Sequence, residues 1–230
     1  MNPIYKTGVA SLVIQVITGI FDIHILSMKF APEMALIKTL LWIELFVQII
    51  EGIFYVWLVV NFTNIKNITQ FRYYDWVITT PTMLFTYSMY LIYLKMKNDT
   101  NKQSSDKLEP KSFYEIVKEN TPVLVPIFIL NTLMLLCGYL AEIGKISANM
   151  GALLGFIPFF AFFYLIYENY AKYTNTGKYT FYYFSGIWAL YGIASMLSYK
   201  YKNVIYNILD LFAKNFFGIF LGLVLLLSRK

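Results

Sequence analysis

Apolar runs of helix length alternate with short polar stretches along the whole chain, and seven can be counted. They predict helices at about 8–28, 34–61, 69–96, 121–141, 147–171, 178–200 and 202–228. A bilayer crossing takes about 20 residues, so seven crossings with short loops nearly exhaust the 230 residues. One membrane domain spanning 1–230 is therefore expected, with no room for a separate soluble one. The first run lacks a small-residue cleavage site and is read as a retained helix.

Polar residues inside these runs are not scattered. Ser11, Gln15, Thr18 and Asp22 follow at steps of four, three and four in the first run, which places them on one helix face. Glu44, Gln48 and Glu51 do the same in the second. Two carboxyl groups in one membrane helix are costly unless they face a polar interior or water. Interhelical hydrogen bonding and protonated core residues are one reading of the stripes. A hydrated ion route shared by two adjacent helices is the other. Asp22 and His24 lie close to a helix end and are expected to reach water. Gly52 would allow close approach of a neighbour, and Trp42 and Trp57 suit the two interfaces.

Composition narrows the class. The chain is 58% hydrophobic and 14% charged, against about 25% charged in soluble domains, which marks a membrane protein. The net charge of +6 sits largely in lysines between the spans, so it argues for topology and against nucleic acid. Lys29, Lys95, Lys97, Lys102, Lys107, Lys111, Lys172, Lys178, Arg229 and Lys230 fall on one side. Lys6, Lys66, Lys145, Lys200 and Lys202 fall on the other. The positive-inside rule then puts the N-terminus outside and the C-terminus inside. The single cysteine, Cys137, excludes an internal disulfide. No second ligand stands at metal spacing from His24, so no metal site is expected.

The seventh run carries Lys214 near its middle, where an ammonium costs about 2.5–3.5 kcal/mol on insertion scales. Asp210 lies one turn earlier on the same face. Two readings follow: a buried ion pair, or a lysine nitrogen used covalently as a Schiff base. The third run opens with Arg72-Tyr-Tyr-Asp75-Trp76-Val-Ile-Thr79-Thr80-Pro81.

This Arg-Tyr-x-Asp-Trp-x-x-Thr-Thr-Pro stretch resembles the third helix of microbial rhodopsins, and Asp210-x-x-x-Lys214 resembles their seventh. The resemblance covers the whole chain. It implies an all-α, seven-transmembrane-helix bundle of microbial rhodopsin type, with retinal as a protonated Schiff base on Lys214. It further implies Asp75 as primary counterion and proton acceptor, and Asp210 as the second counterion. Arg72 would stabilise both ionised carboxylates, and Trp76 would wall the pocket, with Thr79 hydrogen-bonding Asp75. From Trp188-x-x-Tyr191 in the sixth helix, Trp188 would press on the polyene and Tyr191 would line the pocket.

Two departures matter. Proton-pumping members carry a carboxylate eleven residues after the counterion, and here that position is Thr86. Gly192 replaces a usual proline after Tyr191, which suggests a looser pocket. Asn207 and Asn215, with Ser11, Gln15 and the helix-two glutamates, resemble viral rhodopsins of algae-infecting giant viruses, group one, whose members are light-gated cation channels. That likeness implies a host-cell membrane. The expected function is a light-gated cation channel. Its route would pass Ser11, Gln15, Glu44, Gln48, Glu51, Arg72, Asn207 and Asn215, and its partners would be the lipid bilayer and monovalent cations or protons. An outward proton pump and a photosensor acting through a partner are the rivals. No enzymatic activity is expected, and a homo-oligomer is left open. The polar stretch 98–111 reads as an inner loop, and 112–120 as a segment lying on the membrane surface.

Overall fold

The computed structural model describes residues 2–102 and 111–229. It contains α1 (Pro3–Leu26), α2 (Ala35–Asn61), α3 (Ile68–Lys102), α4 (Phe113–Glu142), α5 (Ala148–Asn169) and α6 (Asn175–Ser195). The last segment, α7, runs Tyr199–Leu227 and is interrupted by a π turn at Leu211–Asn215. No strand occurs among the described residues. Six of these segments are long and apolar enough to cross a membrane. The exception, α6, is diluted by Lys178 and by threonines and tyrosines.

Each helix packs on the next, and α7 returns against α1 to close a ring with α3 inside it. The burial pattern is inverted relative to a water-soluble bundle. In α1 the apolar Val13, Ile17 and Ile20 face outward at 52%, 60% and 63% exposure, while Ser11, Gln15, Thr18 and Asp22 are buried. A ring of aliphatic side chains around a polar interior suits hydrocarbon as solvent, where helices satisfy their own backbone groups. Asp22 is fully buried, which corrects the expectation that it reaches water; Gln48 donates a hydrogen bond to it from α2. His24 is exposed at the end of α1, as expected.

Local chemistry explains the boundaries that differ from expectation. α1 starts at Pro3 because Asn2 caps it and proline fits the first helical position. α4 starts eight residues earlier than expected. The segment 112–120 is not a separate surface element: Ser112 and Glu115 form a capping box that launches α4 through it. α3 absorbs part of the expected inner loop by continuing to Lys102. The remainder, 103–110 with Lys107, and Lys230 lie outside the described residues. Pro81 sits inside α3 without ending it.

On the C-terminal side the interior is apolar between α2, α3, α5, α6 and α7, with Leu40, Leu84, Phe162 and Leu221 fully buried. Tyr87 and Phe184 stack there at 4.3 Å between ring centroids. Gly52 is not a point of forced approach, since an added Cβ would meet Gln15 Oε1 only at 3.5 Å. Trp42 faces outward at 55% exposure, and Trp57 packs its ring on Phe71 at 4.6 Å. Glu168 pairs with Lys172 at 2.5 Å.

At the N-terminal end of the bundle, Lys202 of α7 forms an ion pair with Glu142 of α4, both nearly buried. Removing one partner of such a pair strands the other charge. Glu142→Leu alone should therefore lower unfolding stability by about 3 kcal/mol. The double variant with Lys202→Met should recover most of the loss, as measured by thermal unfolding in detergent. Equal losses in both variants would contradict the pairing.

Candidate functional site

The π turn at Leu211–Asn215 brings Lys214 into the bundle centre, where it is 2% exposed. A π turn shifts carbonyls out of their usual register and marks functional sites in helices. Tyr183 of α6 donates its hydroxyl to the Phe212 carbonyl at 3.3 Å, satisfying one such group. Three carboxylates from three helices face the Lys214 ammonium. Asp75 Oδ2 accepts its hydrogen bond at 2.7 Å, Glu51 Oε1 lies at 3.7 Å, and Asp210 Oδ1 lies at 3.8 Å.

The second cation, Arg72, is fully buried one turn before Asp75 on α3. Its guanidinium pairs with Asp210 at 3.1 Å and not with Asp75, so the expectation that it holds both carboxylates is corrected. Arg72 also donates to Asn207 and to Asn203, the latter at 3.3 Å. The rings of Phe54, Tyr55 and Tyr206 lie 5.2–5.8 Å from it, a distance at which cation–π attraction operates. Asp210 is filled by Tyr191 and Tyr55, whose hydroxyls donate to Oδ1 and Oδ2 at 2.7 Å each. Asp75 keeps Oδ1 free of any protein partner. The two carboxylates thus differ: Asp210 is locked by three donors, and Asp75 has one partner and room for another.

Thr79 donates to the Asp75 backbone carbonyl at 3.0 Å, not to its carboxylate. Its expected role is corrected, because a threonine one turn along a helix reaches the carbonyl four residues back.

Beyond Lys214 a largely apolar cavity opens between α3, α4, α5 and α6. Trp76, Trp188, Tyr191, Met134 and Phe159 form its walls, together with Lys214 itself. Trp76 meets Tyr191 edge-on at 5.7 Å, and Trp188 is bracketed by Phe162, Phe163 and Phe184. Thr79 is not among the lining residues. Gly192 does not loosen the wall as expected, because the ring of Phe156 fills the space where its Cβ would stand.

The stripes of α1, α2 and α7 meet in one buried column alongside this cavity. Ser11 donates to the Asn207 carbonyl at 2.7 Å, and Asn207 donates to Thr7 at 2.8 Å and to the Ile4 carbonyl at 3.1 Å. Past Lys214, Thr18 donates to Asn215 Oδ1 at 2.8 Å and to Gln48 Oε1 at 3.4 Å. Glu44 accepts from Thr86 of α3. Gln15 lies in the same column with no hydrogen-bond partner on either amide atom.

The residue reading overlooked four participants. Tyr55 continues the α2 stripe by one step of four past Glu51, and Asn203 precedes Asn207 by four. Both were visible as periodicity. Thr69, which accepts from Asn203 at 2.9 Å, and Asn131, which donates to Thr80 at 2.9 Å, carried no such signal.

A family described as bacteriorhodopsin-like protein matches residues 6–227. The chain belongs to that family. Viral rhodopsin OLPVRII superposes with a TM-score of 0.76 at 27% identity, covering 96% of both chains. A blue light-absorbing proteorhodopsin from Med12 gives 0.73 at 19% identity over 98% of both. Xanthorhodopsin, a light-driven ion pump with dual chromophore, gives 0.70 at 16% identity over 96% of this chain and 91% of its own. No curated protein matches the chain by sequence.

This rhodopsin is accordingly an integral, multi-pass membrane protein whose family binds retinal as a Schiff base on a lysine. The residues present fit that group: Lys214 is a buried primary amine in the wall of a mostly apolar, aromatic-lined cavity, with a carboxylate oxygen at 2.7 Å to balance its charge. Lys214→Ala should therefore yield folded protein that shows no visible absorption band after retinal is added. A coloured variant would contradict the assignment.

Proposed function

We propose that this rhodopsin is a light-gated cation channel whose route is the column between α1, α2 and α7. The observation that carries this reading is the run of buried polar side chains on both sides of Lys214. It extends from Ser11 and Asn207 through Glu51 to Thr18, Gln48 and Asp22, and all of these but Glu51 hydrogen-bond across helices. A structural bundle needs scattered interhelical hydrogen bonds. A path for ions needs them contiguous and bordered by carboxylates of one sign.

Retinal bound to Lys214 would supply light absorption and an isomerisation. Asp75 Oδ2 is the oxygen placed to take a proton from Lys214 Nζ, at 2.7 Å. That transfer removes the charge that Asp210 and Glu51 face from α7 and α2. Asp210 is still pinned by Arg72, Tyr55 and Tyr191, so the imbalance bears on α7 itself. Ser11 and Asn207 join α1 to α7 directly, and displacement of α7 breaks that closure and admits water. Glu51 and Glu44 then favour cations over anions. The distribution of the loop lysines supports an N-terminus outside.

A specific contact supports the second reading, an outward proton pump. Thr86 occupies the position where pumps carry a carboxylate, yet it hydrogen-bonds Glu44 of α2. An acid is therefore present at that level, supplied from a neighbouring helix.

Voltage-clamped photocurrents in cells expressing the full chain separate the two. A current reversing near a cation equilibrium potential is expected; a strictly outward current that persists without a gradient would sink the channel reading. Glu44→Gln should change the current and leave the absorption band in place, since Thr86 is its partner. Glu51→Gln should move both, because its carboxylate lies 3.7 Å from Lys214 Nζ. Unchanged current in both variants would return the glutamates to a structural role.

A further inference from the structure

The unsatisfied polar atoms of the column lie on one side of it. Toward the N-terminal end, the side chains of Tyr55, Arg72, Asn203, Asn207 and Asp210 leave no buried polar atom without a partner. On the C-terminal side of Asp75 and Asp210 the pattern reverses. Both oxygens of Glu51, both amide atoms of Gln15, Asn215 Nδ2, Asp22 Oδ1 and Glu44 Oε2 have none. All five residues are at least nine-tenths buried. An unpaired buried polar atom costs about 1–3 kcal/mol. Glu51 Oε1 faces Lys214 at 3.7 Å, and the Gln15 and Asn215 nitrogens are donors. Gln15 Oε1, Asp22 Oδ1, Glu44 Oε2 and Glu51 Oε2 are therefore the acceptor atoms open to an occupant.

Charge says which kind. Asp22, Glu44, Glu51, Asp75 and Asp210 are buried in the bundle, and Arg72 and Lys214 are the buried cations facing them. Lys202 is also buried, but it is engaged by Glu142 at the bundle end. Arg72 is spent on Asp210 and Lys214 on Asp75. Asp22 and Glu44 have no basic partner within ion-pair distance among the described residues. Asp22 accepts from the Gln48 amide, a donor that suits an ionised carboxylate, and Glu44 shares a hydrogen bond with the Thr86 hydroxyl. Buried carboxylates without a cation are paired, protonated or coordinating.

We propose that this region, walled by Gln15, Thr18, Asp22, Glu44 and Gln48, is a binding site for a small monovalent cation that is filled in the dark. Asp22 Oδ1 is its principal charged ligand, and the carbonyl oxygens of Gln48 and Asn215, which converge on Thr18, supply neutral ones. No group of three or more acidic, histidine or cysteine side chains suited to a metal occurs among the described residues. A single carboxylate oxygen with neutral oxygens beside it suits a singly charged ion, not a divalent one. Gly218 keeps the Gln48–Asp22 hydrogen bond intact, since a Cβ there would push into Asp22 Oδ2 and Gln48 Nε2. The cation waits on the C-terminal side of a dry plug, and light opens the plug.

This deepens the channel reading and takes its meaning from it, but its test does not depend on conduction. Purified retinal-loaded protein is heated in sodium chloride or in N-methyl-D-glucamine chloride at constant ionic strength, and loss of the visible band is followed. Sodium should raise the midpoint saturably. In Asp22→Asn the half-saturating concentration should rise about tenfold or more, as expected on losing a charged ligand. Equal midpoints in the two salts for the unaltered protein would mean water or protons occupy the site and would overturn the proposal. So would an undiminished sodium response in Asp22→Asn. A strictly outward photocurrent would defeat the channel reading and leave this result standing.

Discussion

Everything in this bundle depends on keeping an ammonium charged inside a medium that opposes charge. Lys214 and Arg72 are both buried, and the penalty for burying each ion is several kcal/mol. For Lys214 the chain meets it by drawing a partner from each of three helices: Asp75 from α3, Glu51 from α2, and Asp210 from the preceding turn of α7 itself. That requirement sets the helix order around the site. It also explains why Tyr55 and Tyr191 converge on Asp210 from opposite sides, since a buried carboxylate held in one geometry needs all its lone pairs engaged.

The two carboxylates nearest the lysine end up with different freedom. Asp210 is over-determined by Arg72 and two tyrosines, and Asp75 has one partner and one bare oxygen. Asp75 has a bare oxygen, whereas the three hydrogen bonds to Asp210 from Arg72, Tyr55 and Tyr191 favour its ionised form and oppose its protonation. The same asymmetry runs along the column. Toward the N-terminal end the polar groups saturate one another; toward the C-terminal end they do not. A small displacement of α7 acts on the saturated half, because Asn207 alone links Thr7, the Ser11 hydroxyl and Arg72.

Much of this was legible in the residues. The stripes Ser11–Asp22 and Glu44–Glu51 are periodic and face one another as their spacing implies, and the charged residues of the third and seventh helices converge on Lys214. What periodicity could not show is which partner a charge chooses. Arg72 selects Asp210 over Asp75 because Asn203, Asn207 and three aromatic rings fix its direction, and those contacts join α2, α3 and α7 across long sequence distances. Thr79 turned to its own backbone for the same reason that threonines in helices commonly do. Asp22 looked terminal by position, yet Gln48 of the next helix covers it. The start of α4 was missed because a Ser-x-x-Glu capping box outweighs the mixed polarity of the turns behind it.

Of the carboxylates around Lys214, we propose that Asp75, and not Asp210 or Glu51, takes its proton. A light-minus-dark infrared difference spectrum of the retinal-loaded protein tests it directly. Illumination should produce a carbonyl-stretch band of a newly protonated carboxyl group that is present in Glu51→Gln and absent in Asp75→Asn. A band that survives Asp75→Asn and disappears in Glu51→Gln would contradict the account and transfer the role to α2.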